Sequence, residues 1–462
     1  MRHTRKLAIA AGMAGALAVG GAQLAGAMTP RTLVASSPTE LSAVLGQAEP
    51  GDRVVVGPGS YDNALIRVSR SGTAQAPITV MAASVGGVRF TGSGGFDLAG
   101  ASHVVVQGFV FADGGGLTVP GDAKANRITR NTFDGNKGGA DLTVQADDTE
   151  VDHNTFSNRT AQGVYLQVVG PGAHDMAKRV HVHQNYFYNH QYHGANGGES
   201  IRFGLSGRQH AEADGLIENN LFDKADGDSE AISVKSSNNV VQYNTIINSR
   251  GTLSLRHGWN TRVEGNILIG GSTGIRFFGN NHVIINNLVE DTSGPAMEFG
   301  GGEVRDDTTS GTDHESSDHC VVAFNTLSGS DSLIWYESSK KYPPSDDTLA
   351  DNILLGHGQT AATGTGTSLH FTGNILSGSA AGSLPSGAYR TVDPKLARDA
   401  HNLLRPSASS PAIGAATGSY PQVTLDIDKQ NRPSAKDVGA DQYNASAPGR
   451  PLTTADVGPK AP

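Results

Sequence analysis

Short stretches in which apolar and polar residues alternate dominate the chain beyond residue 50, as in Val240-Val241-Gln242-Tyr243 and Arg262-Val263-Glu264. A period of two predicts half-buried strands. Near the start the spacing is helical instead. Ser37-Pro38-Thr39-Glu40 reads as a capping box with proline at the first helical position, and Leu41, Val44 and Leu45 follow on one face. Glu49-Pro50-Gly51-Asp52 stops this helix, and Arg53-Val54-Val55-Val56 reads as the first strand.

The strands come in a repeat. Asparagine followed by a small or β-branched residue and then an apolar one recurs at Asn131, Asn154, Asn185, Asn220, Asn244, Asn266, Asn287, Asn325, Asn352 and Asn374. The steps 244 to 266 and 266 to 287 are 22 and 21 residues, and others lengthen to 31, 35 or 38 where loops are inserted. Such a period without helical pattern predicts an all-β, single-domain right-handed parallel β-helix with an N-terminal capping helix over its first coil. Stacked coils place equivalent residues above one another, so the asparagines read as a structural ladder of inward amides. Insertions at 158–180 and 301–318 are expected to shape the ends of any groove.

Composition narrows the class. The chain has 462 residues, 60 glycines without a collagen period, and 37% hydrophobic residues, enough for a core in a chain of this length. Few aromatics suggest an interior of small and β-branched side chains. A net charge of −9 argues against a nucleic-acid binder but permits a polyanion in a local basic groove. One cysteine, Cys320, excludes internal disulfides and thiolate metal cages. Arg2, Arg5 and Lys6 precede an Ala/Gly/Leu/Val stretch ending in Ala25-Gly26-Ala27, so residues 1–27 are expected to be a signal peptide. The expectation is a secreted monomer without membrane attachment. One β-helical domain would occupy residues 28–444, and the Pro/Ala/Thr/Gly-rich residues 445–462 are expected to be a disordered tail.

Residues 196–258 carry the densest ionisable constellation. They include Asn196-Gly197-Gly198-Glu199-Ser200-Ile201-Arg202, Asp228-Ser229-Glu230-Ala231-Ile232-Ser233-Val234-Lys235-Ser236 and Arg256-His257-Gly258. Asp228 and Glu230 stand two apart, so on an extended segment both carboxylates face one way. Arg256 follows Lys235 by 21 residues, nearly one coil, which predicts neighbouring rungs about 5 Å apart. A cation stacked beside a lysine is poor for stability but lowers its pKa toward that of a useful base. The acidic pair leaves two readings open, a hard-cation site and a solvated loop face.

The run Glu230-Ala231-Ile232-Ser233-Val234-Lys235-Ser236, with Arg256-His257-Gly258 following, resembles polysaccharide lyase family 6, the alginate lyases and chondroitinase B. The resemblance implies a β-helical enzyme acting on an anionic polysaccharide, alginate first and dermatan sulfate second. It implies Lys235 as Brønsted base, Arg256 as Brønsted acid, and Asn196, Asp228 and Glu230 as calcium ligands. Asp228 departs from the glutamate more usual in the family. Arg202, His257 and Arg276 are the expected substrate-binding residues, with the two arginines equally readable as surface charges. A polygalacturonase reading of Gly356-His357-Gly358 lacks the accompanying aspartates. A non-catalytic β-helical glycan-binding protein would explain the fold but not the Lys235–Arg256 spacing.

Overall fold

The computed structural model describes residues 29–309, 311–444 and 448–462. The expected leader at 1–27 lies outside them. Three long parallel sheets of 14, 14 and 13 strands wind around one apolar interior, a parallel β-helix. One coil illustrates the rule. Val240–Gln242 belongs to the first sheet, Thr245–Ile247 to the second and Thr252–His257 to the third, before Arg262–Glu264 returns to the first.

The asparagine ladder forms at the corner between the first two sheets. Each ladder asparagine from Asn131 to Asn374 is buried; the Asn131 side-chain oxygen accepts from Phe109 N–H, and from Asn154 onward each accepts from the backbone N–H and the amide of the asparagine one coil earlier. For Asn244 and Asn266 these distances are 2.9 and 3.0 Å. The residue before each ladder asparagine turns the corner with positive φ, as Tyr243 (53°) and Asn286 (57°) do. The corner therefore satisfies buried backbone donors that no strand could reach.

The interior differs from the expectation of small side chains. Phe111, Phe133, Phe156, Phe187 and Phe222 stack coil on coil with ring centroids 4.7–4.9 Å apart. Beyond Phe222 the same column continues as Ile246, Leu268 and Val289. In-register stacking of identical rings suits the roughly 5 Å rung spacing.

The helix Pro38–Gly46 covers the first coil as expected. Ser37 Oγ accepts from Glu40 N–H at 3.2 Å, and Leu41 and Leu45 are buried. A strand absent from the sequence reading, Thr32–Ala35, precedes the helix and pairs with Arg53–Val56. At the other end, the chain leaves the last coil and runs back outside the stack. Ile427 and Ala440 pack on Ile267 and Leu288, and Ala412 and Val438 pack on Ile353 and Ile375. Residues 448–462 correct the disordered-tail expectation. Leu452 N–H donates to Thr245 Oγ1 at 3.0 Å, Gly458 N–H to Gln184 O at 2.9 Å, and Arg130 to the carbonyls of Pro459 and Ala461. Composition indicated little burial, but backbone hydrogen bonds to the coil corners order this strap. Among the described residues no helix is long and apolar enough to cross a membrane.

Candidate active site

The third sheet carries the constellation. Ile201–Gly204, Glu230–Lys235, Thr252–His257, Ile275–Phe277 and Pro295–Phe299 are consecutive strands in it. Alternation sends Ile232, Val234, Leu253 and Leu255 into the core and turns Ser233, Lys235, Ser254 and Arg256 outward. Arg202, Ser233, Ser254, Arg276 and Glu298 then form one outward column, each opposite the next.

The rung geometry differs from the expected one at the decisive place. Lys235 pairs with His257, because a bulge in Thr252–His257 leaves Arg256 as the extra residue. The sequence step of 21 counts residues but not the bulge. Lys235 and Arg256 do share the outer face, each with a carboxylate as its partner. Lys235 Nζ lies 3.2 Å from Glu199 Oε1, and Arg256 lies 3.0 Å from Glu230 Oε1.

Glu199 belongs to the 196–202 motif, yet the sequence assigned it no role. Its carboxylate joins Lys235 to Arg202, which donates to it at 3.0 and 2.8 Å. Burial pushes this carboxyl up, but the Arg202 hydrogen bonds and the Lys235 charge outweigh burial and hold it at about 2. Glu230 is likewise pushed up by burial and drawn down further by Arg276, Arg256 and Lys235. Arg276 contacts Glu230 Oε1 and stacks its guanidinium 5.7 Å from the Phe278 ring.

Asp228 precedes the strand in a bend, so it does not extend parallel to Glu230 as expected. Its two oxygens accept from Gly198 N–H at 2.8 Å and Glu230 N–H at 2.7 Å. This is possible because Gly198 and Gly227 touch backbone to backbone, where a Cβ on either would overlap the other. Burial, then the Glu199 charge, raises Asp228 to about 6 despite those hydrogen bonds. Asn196 is exposed at the rim, its carbonyl accepting from Gln162. The donor set is all oxygen, the chemistry of a hard cation such as calcium; in this arrangement Asp228 accepts two backbone N–H bonds and Glu230 pairs with Arg256 and Arg276.

His257 is buried rather than exposed to ligand. Burial first, then the charges of its neighbours, lowers it to about 3, and its Nε2 lies 3.1 Å from Ser206 Oγ. Neutral His257 therefore packs beside Lys235. From the 301–318 insertion, His314 and Glu315 pack back over this end. His314 stacks on Phe278 at 4.3 Å and leans on His257 at 5.3 Å, and Glu315 accepts from Trp259 Nε1. His314 and Glu298 escaped the sequence reading because neither lies in a motif. Burial raises Glu298 to about 7, partly offset by Arg276. Beside Arg202 a cleft of about 530 Å³ opens between Lys137, Gln162, Gln167 and Gly197. Four cations, Arg202, Lys235, Arg256 and Arg276, thus stand among four carboxylates, Glu199, Asp228, Glu230 and Glu298, two of which burial raises, Asp228 to about 6 and Glu298 to about 7.

The family model described as chondroitinase B matches residues 34–341. No curated protein matches the chain. Among solved structures, the PL6 family alginate lyase AlyGC is 24% identical with a TM-score of 0.73, covering 90% of this chain but 59% of its own. A mannuronic acid specific polysaccharide family 6 lyase from human gut microbiota is 24% identical, TM-score 0.66, over 75% of this chain and 86% of its own. The PL6 family polysaccharide lyase Pedsa3628 from Pseudopedobacter saltans is 19% identical, TM-score 0.65, over 93% and 99%. These likenesses extend the β-helix to solved relatives.

Proposed function

The chain belongs to the chondroitinase B family of polysaccharide lyases, and on that premise we propose that it cleaves alginate by β-elimination, outside the cell after export by its leader. The observation that carries this reading is the outward cationic set Arg202, Lys235, Arg256 and Arg276 on adjoining strands, of which Arg202 lines an open cleft. Alginate is favoured by the names of the solved relatives, one an alginate lyase and one mannuronic acid specific. Dermatan sulfate is the second reading, favoured by the description of the matching family model.

Arg202 and Arg276 grip uronate carboxylates through paired donors. An arriving carboxylate competes with Glu199 for Arg202. Lys235 takes the C5 proton once its ion pair with Glu199 opens. The C5–H electron pair becomes the C4=C5 double bond as the C4–O bond breaks. Arg256 stabilises the leaving oxygen, which takes its proton from water, since a guanidinium holds its own too tightly. Neutral His257 packs beside the base without adding charge. Asn196, Asp228 and Glu230 would hold calcium, which when bound masks the uronate charge that opposes loss of the C5 proton.

Incubation with polymannuronate, polyguluronate and dermatan sulfate, reading ultraviolet absorbance and reducing ends together, tests the assignment. Alginate blocks are expected to give both signals. A chromophore from dermatan sulfate alone would replace the substrate, and reducing ends without a chromophore would replace the reaction.

A further inference from the structure

The first sheet, which contributes no strand to the site above, carries a second ionisable cluster on its outer face. Glu150 lies on Glu150–Asp152, His181 and His183 on His181–His183, and Glu218 on Leu216–Glu218, three consecutive rungs. Spacing of two on a strand turns both histidines outward together. Their rings stack with centroids 4.1 Å apart. Each points Nε2 at a carboxylate: His183 at Glu150 Oε1, 2.9 Å, and His181 at Glu218 Oε1, 3.0 Å. The ligand atoms of Glu150, His181 and His183 all lie within 4.8 Å of one another.

Gln184 Oε1 faces His183 Nδ1 at 3.1 Å, so a proton on Nδ1 would be held there and Nε2 left facing Glu150 as a ligand atom. Two protonated rings stacked face to face repel. One divalent cation would be shared by both imidazoles and the Glu150 carboxylate, with Glu218 beside His181.

The surroundings do not compete strongly for them. Arg127 is bonded to Asp152 at 2.8 and 2.7 Å and stands farther from Glu150, at 3.5 Å. His153 is held by Asp152. Gln242 donates to the outer oxygen of Glu218 at 2.7 Å, which orients it. Burial lowers His183, and Glu150 with Asp152 raises it beyond that, to a net value above its ordinary one.

We propose that Glu150, His181 and His183, with Glu218 beside them, form a site for a borderline divalent cation of the zinc class, stapling three coils together. Imidazole donors select this class over calcium, so the site is chemically separate from the oxygen set of Asn196, Asp228 and Glu230. The coils it joins have long connections between Ser157 and His181 and between His190 and Leu216, each of which also carries one strand of the third sheet, Val164–Val168 and Ile201–Gly204.

The test is calorimetric titration of the chelator-stripped full chain with zinc chloride alone. One equivalent is expected with a submicromolar Kd at pH 7.5, weakening at least tenfold at pH 5.5 as the imidazoles take protons. His181→Ala and His183→Ala should each weaken binding about 100-fold, and Asp228→Ala should leave it unchanged. Cobalt(II) added to the unmutated protein should give visible d–d bands that zinc abolishes, a readout that survives even if the variants fold poorly. Absence of saturable zinc binding and of the cobalt bands in the unmutated protein overturns the proposal. So does zinc binding that survives in the His181→Ala/His183→Ala double variant.

Discussion

Asp228 is held where its charge is least welcome, buried, with Glu199 and Glu230 nearby, and its carboxyl rises from 3.8 to about 6. A folded value above the unfolded one means that protonation stabilises the fold. That contribution is full below about 3.8 and is lost as pH rises through about 6. Without added metal, this one group therefore favours mildly acid pH. Calcium needs the ionised form, so the rise in Tm on adding calcium should be largest at pH 7.5 and small at pH 5, and Asp228→Ala should remove it. Thermal melts at the two pH values check this. An equal rise at both, or none with full activity after exhaustive chelation, would remove the cation from the account. Glu199 behaves oppositely. Held at about 2, it stays ionised at any working pH and bridges Lys235 and Arg202.

At the scale of elements, the ladder corner is where sequence determines structure most directly. Asn266 accepts from the N–H and amide of Asn244 and donates to Val241 O and Asn287 Oδ1. Asn266→Ala leaves several of these buried groups unpaired, at about 1–3 kcal/mol each, so a loss of roughly 3–5 kcal/mol is expected in urea denaturation. A loss under about 1 kcal/mol would mean that the ladder is incidental. The ladder was legible because it repeats with the coil, as was the helix Pro38–Gly46, whose capping residues signal its start locally. The bulge in Thr252–His257 was not legible. It depends on how one strand fits its neighbour, and Arg256-His257 reads the same whichever residue faces Lys235. Asp228 failed for the same reason, since its bend is set by the Gly198–Gly227 contact across coils.

Across the whole molecule, a stack of coils has two vulnerable ends and three long flanks. The helix covers the first end, and the returning C-terminal segment covers one flank through Ile427, Ala440, Val423, Ala412 and Val438. Those long-range contacts leave no periodic trace, which is why the strap at 448–462 reads as disordered from composition. Removing residues 448–462 is expected to lower Tm by a few degrees, consistent with the loss of about 1–2 kcal/mol of hydrogen bonding, while product formation is unchanged. A melt identical to that of the full chain would show the strap to be passive. The site residues were legible as a set because their motif is dense. Their partners were not, because Glu199, Glu298 and His314 become neighbours only through coil stacking and a folded-back loop. The account rests on Lys235 as the group that removes the C5 proton, and the direct measurement is the initial rate of unsaturated-product absorbance for Lys235→Ala on alginate, with circular dichroism confirming the fold. A fall of about 10³-fold with an unchanged spectrum is expected, whereas a rate within a few-fold of the unmutated protein would contradict it.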